Sequence, residues 1–331
     1  MKQNRWKKYF FGSASLLLLL TVVGCQEIIS DTKVIKLGHG LDTSHPVHKA
    51  MVYMKERLHE KSGGSMSIDI YPNQQLGSER ESLELLQIGS LGMTKVSTGV
   101  LENFVPKLRV FGLPFLFRDR EHRFSALEGE IGEALLDDGL DKRLKGLTFY
   151  DAGSRSFYTK TPIETPEDLQ GLKLRVMESN TAINMVKQLG GSPTPISWGE
   201  LYTALQQGIV DGAENNLPSF YLSRHYEVCK YYLVDEHTAL PDILLISTLI
   251  WDELSEQERK WLKEAARESS EFEKVIWREA ELEALEAIQE AGVTVTYPDK
   301  DKFREKVTAM YDEFSEDPEM KKLIDAIQST K

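Results

Sequence analysis

Cysteine is scarce in this sequence. The 331 residues contain two cysteines, Cys25 and Cys229, and neither has the Cys-x-x-Cys or Cys/His spacing of a redox or zinc site. With so few cysteines the fold has to rest on its apolar core. The apolar content of 41% is ample for such a core, and the length suggests two domains.

The sequence motifs of common catalytic and nucleotide-binding sites are absent as well. There is no Gly-x-Gly-x-x-Gly after a predicted strand, no phosphate loop, no Gly-x-Ser-x-Gly and no His-Glu-x-x-His. His39, His45 and His48 lie close together, but without a carboxylate or cysteine at ligand spacing we interpret them as a loop and helix surface rather than a metal site. We expect a binding protein without metal or cofactor.

Positive charge is in the minority. The chain has 40 Lys and Arg against 52 Asp and Glu, a formal net charge of -12. An acidic surface repels nucleic acids and anionic lipids, so we expect no nucleic-acid partner. Because the acidic residues are dispersed, an anionic ligand would need a locally basic site.

The N-terminus is the one segment with clustered basic residues. Four of them precede an apolar run over residues 9–20, and small residues lead into Cys25. This order is typical of a signal peptide, and a cysteine after small residues is a site of lipid attachment. We predict a signal peptide over 1–24, a lipidated tether over 25–32, and a protein held by lipid at Cys25 in the periplasm or on the extracytoplasmic face. The alternative is a secretory signal with a chance cysteine.

Apolar periodicity and capping residues predict two α/β units side by side. Predicted strands cover 33–38, 66–70, 91–96, 146–150, 155–159, 173–177, 209–212 and 242–251. Predicted helices cover 46–61, 78–89, 165–171, 180–189 and 197–208, with capping boxes at Ser78 and Ser197.

A long helix is predicted near the end of the chain. A capping box at Ser255 starts a stretch that contains neither Pro nor Gly until Gly292, which corresponds to roughly 50 Å of helix. Its apolar positions do not follow a heptad, which argues against a coiled coil. We expect this helix to pack against both α/β units.

Two arginines stand in apolar or small surroundings, Arg155 and Arg175. Arg175 lies between Leu174 and Val176 in a predicted strand, where a guanidinium needs a partner. Its planar fork can bind a carboxylate through two parallel hydrogen bonds. Considered alone, a strand arginine is more often part of a structural ion pair or a charge on an edge strand.

Seven short motifs occur one after another along the chain. They are LGH at 37–39, YPNQQLG at 71–77, LPF at 113–115, GLKLRV at 171–176, TP at 194–195, ELYTALQ at 200–206 and VDGAENN at 210–216. Together they resemble the solute-binding receptors of TRAP (tripartite ATP-independent periplasmic) transporters, the dicarboxylate and sialic acid receptor family. The resemblance covers nearly all of the chain after the predicted tether.

The resemblance implies an α/β fold of the two-lobed periplasmic binding protein type (type II-like), with a long hinge-spanning helix. It implies one lobe from 33–152 and 241–280, and a second from 153–240 and 281–331. The receptor would close on an organic acid and deliver it to TRAP membrane permease subunits. We expect it to act as a monomer.

The resemblance also implies the ligand-binding residues. Arg175 would hold the ligand carboxylate in a bidentate salt bridge, and Arg155 and Asn215 would add contacts. Six further residues are expected in or near the cleft, namely Glu79, Trp198, Ser97, Lys95, Glu178 and His39.

Departures from the family pattern bear on the ligand. Ser97 and Glu178 disfavour sialic acid, whereas the segment 212–216 and the polar residues of the cleft favour a sugar acid such as a hexuronate. Three alternatives stay open, namely a C4-dicarboxylate, another organic anion presented to a sensor kinase, and an exported enzyme that uses Glu79 and Glu178 as a carboxylate pair. The reactivity of Cys229 also stays open.

Overall fold

The computed structural model describes residues 32–331, so the predicted signal peptide and Cys25 lie outside the described residues. No helix in this range combines the length and apolar character needed to cross a membrane. The strands are β1 Lys33–Gly38, β2 Met66–Tyr71, β3 Met93–Ser97, β4 Leu144–Tyr150, β5 Arg155–Thr159, β6 Lys173–Val176, β7 Ser192–Pro195, β8 Gly212–Asn215, β9 Tyr231–Thr238, β10 Asp242–Ser247 and β11 Thr294–Thr296.

Helices follow most of the strands. They are α1 Pro46–Lys61, α2 Glu79–Gln87, α3 Thr98–Leu101, α4 Arg120–Glu128, α5 Glu130–Leu136, α6 Asn180–Gln188, α7 Leu201–Gln207, α8 Leu217–Leu222, α9 Thr248–Asp252, α10 Glu256–Glu290, α11 Lys300–Ser315 and α12 Pro318–Ser329. Short 3-10 turns cover Pro106–Gly112, Leu140–Lys142, Pro166–Leu169, Trp198–Glu200 and His225–Glu227.

Two sheets form the centres of two lobes. The first has the strand order β2-β1-β3-β10-β4, and the second has the order β11-β9-β5-β8-β6-β7. The first three strands of the chain run parallel, and β10 returns antiparallel between β3 and β4. The chain passes between the sheets after β4, after β9 and, through α9 and α10, once more between β10 and β11. Residues 151–154 and 239–241 form the two short crossovers.

Helix α10 packs against both lobes, as predicted. Leu262 and Ala266 belong to the apolar core that α1 forms with the first sheet. Near the other end of the helix, Ile288 belongs to the core that contains Tyr158 and Tyr232 of the second sheet. The helix begins with the predicted capping box, in which the Ser255 and Glu258 side chains each accept from the other residue's backbone N–H. The two-lobed α/β architecture is therefore confirmed.

Three local predictions are wrong. The strand predicted at 209–212 begins only at Gly212, because Gly208 ends α7 in a left-handed conformation and the N–H of Ile209 still bonds back to Ala204. The strand predicted at 242–251 ends at Ser247, where α9 starts. The capping box predicted at Ser197 does not form, since its hydroxyl donates to the Glu200 carboxylate at 2.8 Å and a 3-10 turn precedes α7.

The division of the chain between lobes stays a prediction. Within the segment 281–331, α11 packs against α6 and β9, whereas α12 packs against the turn Pro106–Gly112. The carbonyl of Ile327 also accepts a hydrogen bond from the buried ring of His122 at 2.8 Å. The contacts of α12 therefore extend to the first predicted lobe.

Candidate functional site

A cavity that is partly open to solvent lies between the two sheets, and the space between its walls is about 730 Å³ when its open mouth is included. Its walls come from the ends of strands in both sheets, from the crossovers and from helix α10. Clefts between lobes with a few convergent polar groups are the usual place for small-ligand sites. Eight of the nine residues predicted for the cleft line it, namely Arg175, Arg155, Asn215, Glu79, Trp198, Ser97, Lys95 and Glu178.

His39 is the exception, because its ring does not line the cavity. It is buried behind the wall, where its Nδ1 accepts from the N–H of Leu41 at 3.1 Å and its Nε2 lies 3.0 Å from Nδ1 of His48. Burial, together with the charge of Lys95, lowers the pKa of His39 to about 2. A neutral imidazole in this position supports the loop after β1. The interpretation of these histidines as a surface is therefore wrong for His39 and His45, which are both buried.

Arg155 has a carboxylate partner within the protein. Its Nε and Nη2 both donate to the carboxylate of Glu214 on the neighbouring strand β8, with Nη2 2.8 Å from Oε1. Its Nη1 donates to Oδ1 of Asn215 at 2.8 Å. Burial alone would raise the pKa of Glu214, but Arg155 and His237 together lower it to about 2. The charge of Arg155 is therefore compensated without a ligand.

His237 completes this buried group. Its Nδ1 lies 2.8 Å from Asp235, and its Nε2 lies 3.6 Å from the Glu214 carboxylate. Burial lowers the pKa of His237, but the two carboxylates outweigh burial and raise it to about 9. The imidazolium form is thus favoured at neutral pH.

Arg175 is in the opposite situation. It lies on β6 with 2% of its surface exposed, and its Nε donates to the carbonyl of Ile196 at 2.8 Å. Its Nη1 is buried and has no partner, and no carboxylate of residues 32–331 pairs with it. The ring of Trp198 lies 5.8 Å from its guanidinium carbon, and burial lowers the pKa of the group. A guanidinium that is buried without a compensating charge is unfavourable, and a bound anion would compensate it.

The opposite wall is rich in hydrogen-bond acceptors. The ammonium of Lys95 donates to Glu79 at 3.1 Å and to Asp242 at 2.9 Å, and the N–H of Ser97 donates to Glu79 at 3.2 Å. Burial lowers the pKa of Lys95, yet the two carboxylates outweigh burial and raise it. Two carboxylates around one ammonium leave oxygen lone pairs that can accept from ligand hydroxyls.

Several residues that line the cavity or support its wall were not predicted. Asp242 pairs with Lys95, and Glu214 holds Arg155 from behind the wall. The helix residue Trp277 stands 5.6 Å from the His45 ring, measured between centroids. Further lining residues that the sequence did not indicate are Gln74, Ser78, Arg80, Asn216 and Ser219.

Cys229 takes no part in the cavity. It is fully buried in the second lobe, and burial raises the pKa of its thiol to about 12. The thiol therefore stays protonated at neutral pH, which leaves it a poor nucleophile.

The family model described as bacterial extracellular solute-binding protein, family 7, matches residues 37–317. The chain belongs to this family. Among curated relatives, this family 7 protein is 32% identical over 313 residues to the C4-dicarboxylate-binding periplasmic protein DctP of Rhodobacter capsulatus, covering 92% of each chain. The resemblance to TRAP solute-binding receptors is thereby confirmed.

Solved TRAP periplasmic solute-binding proteins share the fold closely. The protein from Xanthobacter autotrophicus, solved with bound β-D-galacturonate, is 38% identical with a TM-score of 0.88, covering 90% of this chain and 100% of that one. The protein from Anaerococcus prevotii, solved with bound D-glucuronate, is 36% identical with a TM-score of 0.88, covering 90% and 98%.

Proposed function

We propose that this family 7 protein captures a hexuronate in the interlobe cavity and delivers it to a TRAP permease. The observation that carries the proposal is Arg175, whose buried guanidinium lacks a carboxylate from the described part of the chain. A ligand carboxylate supplies the missing charge and two hydrogen bonds. The galacturonate and glucuronate bound by the two similar structures are ligands of this chemical class.

The contact is strong enough to account for useful affinity. Each charge-assisted hydrogen bond contributes about 1.5–3 kcal/mol, and a micromolar dissociation constant corresponds to about 8 kcal/mol. Two such bonds from Arg175 would supply a large share of that free energy. Asn215 and Arg155 also line the cavity, which supports a further contribution from Asn215 and from the remaining N–H of Arg155.

The acceptor-rich wall favours a sugar acid over a short dicarboxylate. Glu79 and Asp242 share one compensating ammonium, that of Lys95. Hydroxyl groups of a uronate would donate to these oxygens, whereas a second ligand carboxylate would meet like charge. We therefore propose one carboxylate at Arg175 and hydroxyls toward Glu79.

We further propose that the protein works outside the cytoplasm and is held by lipid on Cys25. The support is the sequence of residues 1–25, which lies outside the described residues. Growth with a labelled fatty acid tests it. The wild type should incorporate the label and Cys25→Ser should not, whereas equal labelling of both would refute the anchor.

Calorimetry against a ligand panel tests the proposed function. We expect D-galacturonate or D-glucuronate to bind at least about 100-fold more tightly than succinate, malate or N-acetylneuraminate. The bound sugar acid should be recovered chemically unchanged by NMR, as a receptor requires. Tighter binding of a dicarboxylate, or turnover of the sugar acid, would overturn the proposal.

A further inference from the structure

Gln74 stands at the boundary between the cavity and an adjoining surface groove. Gly40, Gln74 and Trp198 line both spaces. Gly40 and Gln74 follow strands of the first sheet, and Trp198 lies in the 3-10 turn before α7 of the second lobe. The side chain of Gln74 therefore lies between the cavity and the groove, beside residues of both lobes.

The backbone fixes the direction of this side chain. Asn73 and Gln74 both have left-handed conformations, with φ of 54° and 56°. Such residues persist only where the surrounding structure holds them. Here the N–H of Asn73 donates to the carbonyl of Leu41 at 3.0 Å, and that of Gln74 donates to the carbonyl of His39 at 3.1 Å.

The Gln74 side chain lies between two glycines, one from each lobe. A Cβ on Gly40 would come 3.3 Å from its Cγ, and a Cβ on Gly199 would come 2.3 Å from its Oε1. The φ of Gly199 is not left-handed, so its backbone does not itself require glycine. A methyl group at position 199 would instead displace the amide end of the Gln74 side chain.

The amide of Gln74 also has unused hydrogen-bonding capacity. Its Nε2 is buried, has no partner within the described part of the chain and belongs to a side chain that lines the cavity. An unsatisfied buried donor is costly unless a ligand accepts from it. A hydroxyl oxygen of a sugar acid is such an acceptor.

The contact is linked to the anion site through residues 196–199. The carbonyl of Ile196 accepts from Nε of Arg175, and the ring of Trp198 lies against the same guanidinium. The next residue, Gly199, receives Gln74. One short segment thus contacts both the carboxylate anchor and the closing side chain.

We propose that Gln74 is a specificity-determining residue, which closes the cleft against Gly199 and donates from Nε2 to a ligand hydroxyl. The inference rests on the proposed function, because it needs a hydroxylated acid in the cavity. Succinate has no hydroxyl and would not use this donor.

A double-mutant cycle tests the proposal by calorimetry with D-galacturonate and D-glucuronate. Gln74→Ala and Gly199→Ala should each weaken uronate binding about fivefold to tenfold, the size of one lost hydrogen bond. In Gly199→Ala the new methyl displaces the glutamine, so the double variant should bind no more weakly than Gln74→Ala. Gly38→Ala, whose Cβ would meet its neighbours at 3.4 Å or more, is the matched glycine control and should bind like the wild type.

Thermal unfolding without ligand separates a closing role from a folding role. Gly199→Ala should melt like the wild type, because the glutamine can swing away in the unliganded protein. Gln74→Glu keeps the shape but removes the donor, and it should weaken binding at least as much as Gln74→Ala. Additive losses in the double variant, or unchanged affinity in both single variants, would overturn the proposal. Wild-type protein that binds neither uronate would contradict the proposed function and this role with it.

Discussion

Arg155 and Arg175 lie on β5 and β6, on either side of strand β8, and both are buried. Arg155 has the carboxylate of Glu214 and the amide oxygen of Asn215 as partners. Among the described residues, Arg175 has one backbone carbonyl as a partner, and its Nη1 has none. The two side chains are chemically identical, but only the charge of Arg155 is compensated by a carboxylate of the described residues. We therefore propose that Arg155 stabilises the second lobe and that Arg175 binds the ligand.

Removal of Arg155 should have the largest effect on stability. Arg155→Ala leaves the buried Glu214 carboxylate without its main partner, which should lower the free energy of unfolding by about 3–5 kcal/mol. Urea denaturation without ligand measures this. The double variant Arg155→Met with Glu214→Leu should recover most of the loss, because both charges are gone. A loss below about 1 kcal/mol in Arg155→Ala would remove the proposed contrast between the arginines.

The pH dependence of stability should come next in size. His237 has a folded-state pKa of about 9, above its ordinary value of 6.5, because Asp235 and Glu214 face it. Its contribution to stability is therefore complete below about pH 6.5 and is lost as the pH rises through 9. His237→Gln should flatten the decline between pH 6.5 and 9 by up to about 3 kcal/mol.

Urea denaturation at several pH values checks this slope. His59→Gln is the control, since His59 is exposed on α1 and should leave the profile unchanged. A decline that is as steep in His237→Gln as in the wild type would contradict the assignment of a protonated His237 beside Glu214.

The smallest effect is expected for Arg175 in the unliganded protein. Arg175→Met removes a buried charge that has no carboxylate partner among residues 32–331, so the free energy of unfolding should stay the same or rise by about 1 kcal/mol. This sign is opposite to that for Arg155. Arg278→Met on the exposed side of α10 serves as the control. A decrease comparable to that of Arg155→Ala would mean that Arg175 is also structural.

Local sequence signals were enough to find many elements of the fold. The helix Pro46–Lys61 and the strands Lys33–Gly38 and Arg155–Thr159 match their predicted bounds. The short helices between β3 and β4 were not predicted, and neither were β9, α11 and α12. Three of the missed helices do begin with an aspartate cap, at Asp119, Asp299 and Asp317, and Pro318 follows the last of these. Their start signals were therefore present in the sequence and were overlooked.

The long helix α10 shows why an apolar pattern is not sufficient to predict which positions are buried. Its buried positions include Ser269, Ser270 and Glu273 as well as Trp277. The first three bond to groups at the end of the first sheet, such as the carbonyl of Phe149 and the N–H of Asp151. Polar residues that are buried because they form hydrogen bonds to β4 and to the crossover after it cannot be recognised from the sequence pattern.

The charge balance of the site results from ion pairs between residues that are far apart in the sequence. The sequence pattern predicted Arg175 in a strand. Of the nine site residues predicted from the family resemblance, eight line one cavity. The sequence did not distinguish the two arginines, because the Arg155–Glu214 pair joins residues 59 positions apart through strand order. The Lys95–Asp242 pair, 147 positions apart, was missed for the same reason.

The most direct test compares a charged ligand with its neutral counterpart. Calorimetry should give the affinity of D-galacturonate and D-galactose for wild-type protein, for Arg175→Ala and for Arg278→Ala as the control. We expect the wild type and the control to prefer the acid at least about 100-fold, and Arg175→Ala to lose this preference, since two charge-assisted bonds disappear. A preference for the acid that survives in Arg175→Ala would contradict the assignment of Arg175 as the carboxylate anchor.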